Sequence, residues 1–167
     1  MCSSDLTLAA SPLFATCVLG AGALHLAGND AQKDEFLPLI ATGELRLALA
    51  LEETHHHDPA GVAMSASRSA SGWRLNGVKR FVADGHSAER LVVVARTGGS
   101  AGEQQGLSLF LVDAGAPGVE RHRLALMDSR NAARITFNEV EVEAGCLLGE
   151  EGNRSEEHTS ELQSPCN

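Results

Sequence analysis

At Leu47 the spacing of apolar residues changes from helical to alternating or continuously apolar. Short runs of this kind then follow at 47–51, 62–69, 73–75, 78–82, 91–95, 107–112, 119–124 and 134–142, separated by Gly, Asn, Asp or Pro. A parallel doubly wound sheet needs a crossover of a dozen or more residues, usually helical, between successive strands, and no helical pattern interrupts these runs. The expected fold class is therefore α+β: short N-terminal helices followed by an antiparallel β-barrel or sandwich. Asn76-Gly77 lies between two apolar runs and predicts a hairpin there, while 98–106 reads as a loose surface loop.

The segment before Leu47 is helical in pattern. Ser11-Pro12 supplies a cap and a proline for the first turn, and Leu13, Phe14, Cys17, Val18 and Leu24 recur at helical spacing up to Gly28-Asn29-Asp30. A second helix is expected from Ala31 towards Ile40, with Gln32, Lys33, Asp34 and Glu35 outward, Pro38 in its last turn and Gly43 closing it. The run Gly20-Ala-Gly22 lacks the preceding strand and final glycine of a dinucleotide loop, so its small residues predict close helix packing. His25 reads as an ordinary helix histidine.

With 167 residues and 43% hydrophobic content, the chain can bury one core or a core and a half. A net charge of −9 with scattered Lys and Arg argues against a nucleic-acid partner. No run of about eighteen apolar residues suits a membrane-spanning helix. Cys2, Cys17, Cys146 and Cys166 show neither metal-ligand spacing nor a disulfide framework, which fits a reducing cytoplasm.

The chemistry-bearing residues cluster between Leu47 and Ala83. His55-His56-His57 is adjacent in sequence, so its side chains diverge, and no carboxylate or cysteine stands at ligand spacing; a polar loop is expected and no metal site. Glu52 and Glu53 are neighbours on an extended segment, so they point to opposite faces and cannot act jointly on a substrate. Phe81 on its own reads as a core aromatic, and Trp73 as a residue packed on the sheet.

Residues 154–167, RSEEHTSELQSPCN, and 1–6, MCSSDL, resemble the two in-frame translations of a sequencing-library adapter. The native portion is accordingly expected at about 7–153, cut by sequencing, with the ends contributing nothing to the fold.

The order of motifs carries a resemblance. Gly43-Glu44, the strand ending Ala50-Leu51-Glu52-Glu53, Leu75-Asn76-Gly77-Val78-Lys79, Phe81-Val82-Ala83, and Phe137-Asn-Glu-Val140-Glu-Val142 before Leu147-Leu148-Gly149 together resemble an acyl-CoA dehydrogenase. The resemblance implies that 7–45 ends an N-terminal helical domain, that 46–153 is the family's middle β-domain, and that the C-terminal helical bundle is absent. It also implies FAD as cofactor, an acyl-CoA substrate oxidised to trans-2-enoyl-CoA, an electron-accepting flavoprotein as partner, and a homo-oligomeric parent protein. In most members of the family the catalytic base lies in the C-terminal domain, so no residue of this chain is assigned that role. The rival reading is a flavin-free β-barrel that binds an acyl group or a protein.

The family's Ala-Leu-Thr-Glu-Pro segment, which lines the flavin pyrimidine edge, is matched by Ala50, Leu51, Glu52, Glu53 and Thr54. Its Lys-x-Trp-Ile-Thr-Asn-Gly segment is matched by Lys79, Arg80, Phe81, Val82, Ala83, Asp84 and Gly85. The resemblance thus implies cofactor contacts at Ala50, Leu51, Glu52, Glu53, Phe81, Val82 and Ala83, through backbone N–H groups and the Phe81 ring. His57 stands in the loop that would face substrate. Glu52 and Ala83 replace hydroxyl residues and Thr54 a proline; the histidine loop is one residue short, which leaves the register of Glu52 against Glu53 open by one.

Overall fold

The computed structural model describes residues 11–103, 105–127 and 130–151. The adapter-like segments lie outside the described residues. A π-helical segment, Phe14–Gly20, continues directly into α1 (Ala21–Ala27), and α2 spans Asp30–Thr42. Eight strands follow among the described residues: β1 (Leu47–Ala50), β2 (Ser65–Arg68), β3 (Gly72–Ala83), β4 (Arg90–Arg96), β5 (Leu107–Asp113), β6 (Val119–Arg123), β7 (Ala132–Glu143) and β8 (Leu147–Leu148). No described helix is long and apolar enough to cross a membrane.

Short helices followed by a sheet of short strands are what the sequence predicts. The sheet runs β6-β7-β3-β2-β4-β5-β8, with β1 also paired to β4, and it is open. Most pairs are antiparallel, but β1 pairs parallel with β4, and β2 touches β4 through one parallel bridge, Ser65↔Arg96. The sheet is thus mixed and does not close into a barrel.

The Asn76-Gly77 hairpin does not form. β3 runs straight through it, with Trp73 and Leu75 on one side of the pair and Val78, Lys79 and Val82 on the other all registered against β7. A shared partner strand holds both halves in line, so the turn tendency is overridden. Gly77 is instead a point of close approach: a Cβ there would lie 2.7 Å from Met64 Cγ, at φ +151°. The hairpin forms one element earlier, where Ser69-Ala70-Ser71 joins β2 to β3 and the Ser69 N–H donates to Gly72 O at 3.0 Å.

Two apolar cores flank the sheet. Leu91, Val93 and Ala95 of β4 face the larger one with Trp73, Leu75, Val82, Phe110 and Ile135. Val92 faces the smaller one with Leu24, Ile40, Leu47, Leu111 and Leu148. Burial on both faces explains why β4 is continuously apolar and not alternating. Trp73 is buried and meets Phe110 edge to face, with centroids 5.5 Å apart.

Small residues bring the helix onto β1. A Cβ at Gly20 would lie 2.4 Å from Leu47 Cβ. Beside it the buried Thr16 hydroxyl donates to Leu47 O at 3.1 Å and accepts the Leu47 N–H at 3.2 Å, satisfying both backbone groups of that strand residue. Gln32 is a correction: it is buried, not outward. It completes a capping box with Asn29 and its Nε2 donates to Gly145 O at 2.8 Å and Leu147 O at 3.1 Å, so the start of α2 is tied to the end of the sheet.

Candidate functional site

The end of β1 and the second half of β3 are brought side by side by main chain. The Arg80 N–H donates to Glu52 O at 2.7 Å. Beneath that contact Lys79, with 0% of its side chain exposed, donates from Nζ to Leu51 O at 3.1 Å and to Glu53 Oε1 at 2.6 Å. The Glu53 carboxylate also accepts the N–H groups of Ala63, at 2.9 Å, and Met64, at 3.0 Å. Glu53 is therefore an internal ligand that joins Leu51–Glu53, β3 and the approach to β2.

Glu52 takes the other direction, as neighbours on an extended segment must. Its Oε1 lies 2.5 Å from His57 Nδ1, with side-chain exposures of 25% for Glu52 and 58% for His57. The two carboxylates have separate environments: Glu53 is bound to a buried ammonium, Glu52 to an imidazole at the surface. In the loop between, the His56 N–H donates to Thr54 Oγ1 at 3.3 Å, the Thr54 hydroxyl donates to His56 O at 2.9 Å, and the Gly61 N–H donates to Asp58 Oδ1 at 3.0 Å.

Phe81 is the residue whose orientation the structure decides. Lys79 registers with Ile135 and Val82 with Ala133, so β3 carries one extra residue between them, a bulge. Strict alternation would turn Phe81 inward with Trp73, Leu75 and Lys79. The bulge instead sends Val82 into the core and leaves Phe81 53% exposed. Phe81 adopts φ +52°, a left-handed conformation that costs a bulky side chain of order 1–3 kcal/mol. The residue is an exposed aromatic held in strain, and not the core packing that its residue type suggests alone. Ala50 and Val82 have buried side chains and Ala83 an exposed one.

Beyond Ala83 the chain turns at Asp84, φ +56°, whose N–H donates to Asn131 O at 2.7 Å. Burial raises the Asp84 carboxyl above its usual range, and the Arg130 guanidinium opposes that shift. Asn131 donates from Nδ2 to Ser87 Oγ at 2.6 Å, whereas its buried Oδ1 meets no donor among the described residues.

Sequence reasoning missed Lys79 and Arg96. The first was legible as a lysine at an inward parity of β3. Arg96 carried no such signal. Buried at the end of β4, it donates from Nε to Val62 O at 2.9 Å, from Nη1 to Gln105 O at 3.0 Å and Gly98 O at 3.4 Å, and from Nη2 to Ala60 O and Glu103 O, both at 3.0 Å. Residues 98–103 and 105–106 are thereby anchored, and they dock on the histidine-loop side through the Gly102 N–H to Ala60 O at 3.0 Å.

Comparison with known proteins gives this arrangement a context. Residues 48–140 match the family described as acyl-CoA dehydrogenase, middle domain. The long-chain specific acyl-CoA dehydrogenase of Rattus norvegicus mitochondria is 35% identical over 130 residues, 74% of this chain and 30% of that protein. The structure of butyryl-CoA dehydrogenase from Megasphaera elsdenii superposes with a TM-score of 0.78 at 31% identity, covering 84% of this chain and 38% of the other. A glutaryl-CoA dehydrogenase from Mycobacterium smegmatis, solved in complex with FADH2, gives a TM-score of 0.72 at 26% identity over 84% and 35% of the two chains. The chain spans about a third of the length of these relatives.

Proposed function

Because the chain belongs to the acyl-CoA dehydrogenase family, we propose that it forms the flavin-facing wall of an enzyme that oxidises acyl-CoA thioesters to trans-2-enoyl-CoA. The observation that carries this reading is Phe81, an aromatic side chain turned out of the core by a bulge and held at φ +52° next to Leu51–Glu53. Strain of this kind persists where surrounding structure enforces it, and it concentrates at ligand sites.

The residues present fit an isoalloxazine ring. Phe81 offers an apolar face worth about 0.5–1.5 kcal/mol beyond its buried area, and the Lys79–Glu53 pair fixes the facing segment from below. FAD bound there supplies acceptance of the thioester's β-hydride. The chain's own part is to hold the ring against Phe81, to exclude water from one side of it, and to set the charge at its pyrimidine edge through Glu52. In this reading residues 7–45 end an N-terminal helical domain and 46–153 form the middle domain. The α-proton is removed by a base outside the chain, an electron-accepting flavoprotein reoxidises the cofactor, and the complete protein is a cytoplasmic homo-oligomer.

The test is made on the complete gene product, purified without added cofactor. It is expected to be yellow with bound FAD and to reduce a dye only when an acyl-CoA is supplied, while the 167-residue chain alone shows no turnover. A colourless complete protein that binds acyl-CoA without turnover would overturn the proposal in favour of a flavin-free binding module.

A further inference from the structure

We infer that His57 is the counter-group of Glu52 and tunes the redox behaviour of the site through it. The inference rests on the placement of Glu52 at the flavin edge proposed above. Its structural ground is independent of that placement: Glu52 Oε1 and His57 Nδ1 lie 2.5 Å apart, in direct hydrogen-bond contact.

Among the neighbouring charged groups, Lys79, Glu53 and Asp58 have partners of their own. Lys79 and Glu53 bind each other beneath the strand, Asp58 receives the Gly61 N–H, and Arg80 reaches Glu52 through its main chain, N–H to Glu52 O. His57 is the side chain whose donor reaches the Glu52 carboxylate. At 25% exposure that carboxylate is only partly screened by water, so its charge reaches anything bound beside it. A reduced flavin gains negative charge, and an unopposed carboxylate would disfavour reduction. An N–H held on Oε1 opposes that charge with the positive end of its dipole, and His57 is thus a positioning residue that makes a glutamate tolerable where the related motif carries a hydroxyl.

The experiment is a spectroelectrochemical titration of the FAD-loaded complete protein as wild type, His57→Gln, Glu52→Gln and the double variant. His57→Gln is expected to shift the ratio of reduced- to oxidised-flavin affinity about tenfold against reduction, roughly 30 mV for a two-electron couple. In the Glu52→Gln background the same His57→Gln change is expected to have no effect, because the charge it opposes has gone. Equal potentials for wild type and His57→Gln overturn the inference, as does an equal shift in both backgrounds. A protein that retains no FAD in any form overturns the proposed function along with it, whereas a flavin-loaded protein with uncoupled variants overturns this inference alone. Should a variant not fold, the same cycle with His57→Asn and Glu52→Thr gives the same reading.

Discussion

Lys79 Nζ and Glu53 Oε1 meet at 2.6 Å inside the protein, the lysine without exposed surface and the glutamate side chain only 15% exposed. The pair joins two segments far apart in sequence directly under the candidate cofactor face. Removing one member of a buried pair leaves the other charge uncompensated and costs about 3–5 kcal/mol.

Glu53→Gln and Lys79→Met are therefore each expected to lower unfolding free energy by about 3 kcal/mol or more. The double variant should lose less than the sum, because neither leaves a stranded charge. Urea titrations of the chain check this, and strictly additive losses would show that the two groups do not interact.

Asp84 gives a pH-dependent prediction. Its folded-state pKa is raised by burial, so its contribution to stability is present below the unfolded pKa and is lost as pH rises through the folded value. Asp84→Asn removes the ionisation and keeps a residue type that tolerates φ +56°. The variant is expected to melt higher than wild type at neutral pH, with the gap closing as pH falls through the carboxylate range. A gap constant from acid to neutral pH would refute the assignment.

Arg96→Lys keeps a charge but not the planar fork that reaches five carbonyls. Unsatisfied buried acceptors cost about 1–3 kcal/mol each, so a loss of roughly 3 kcal/mol is expected even after partial hydration. Amide exchange at 98–103 and 60–62 should accelerate together. Acceleration in one segment without the other would mean that Arg96 does not couple them.

Phe81→Asn separates stability from binding. Asparagine visits the left-handed region readily, so the thermal midpoint should hold or rise. Loss of the aromatic face, worth about 0.5–1.5 kcal/mol beyond area, should weaken FAD retention by the complete protein up to about tenfold. A drop in midpoint with unchanged FAD affinity would place Phe81 in packing alone.

The strands were legible because apolar side chains alternate, and β4 because continuous apolarity marks burial on both faces. The direction of Phe81 was not. It depends on one extra residue in β3 and a positive φ, neither of which has a signature in a run such as Lys-Arg-Phe-Val-Ala. Asn76-Gly77 misled for the converse reason: its local turn chemistry is strong, yet β7 pairs with both flanking runs. Gln32 looked like a surface residue because its use lies in carbonyls at Gly145 and Leu147, over a hundred positions away. For the candidate site, the opposed directions of Glu52 and Glu53 were readable from their adjacency, and Lys79 from its inward parity on β3, whereas the pairing of Glu52 with His57 emerges only when the loop closes.

The parallel pairing of β1 with β4 has a consequence for how the chain acquires its fold. Each residue of Leu47–Ala50 finds a partner 43 residues further on, while β2–β3 and β4–β5 are joined by short connections. Loop-closure entropy delays such non-local contacts relative to local ones. The hairpins are thus expected to order first, and the pairings of β1 with β4 and of β3 with β7, whose partners are also far apart in sequence, to form later, with β1 carrying Glu52 and Glu53 into place. The candidate site, which needs β1 docked, would then assemble after the hairpins during refolding.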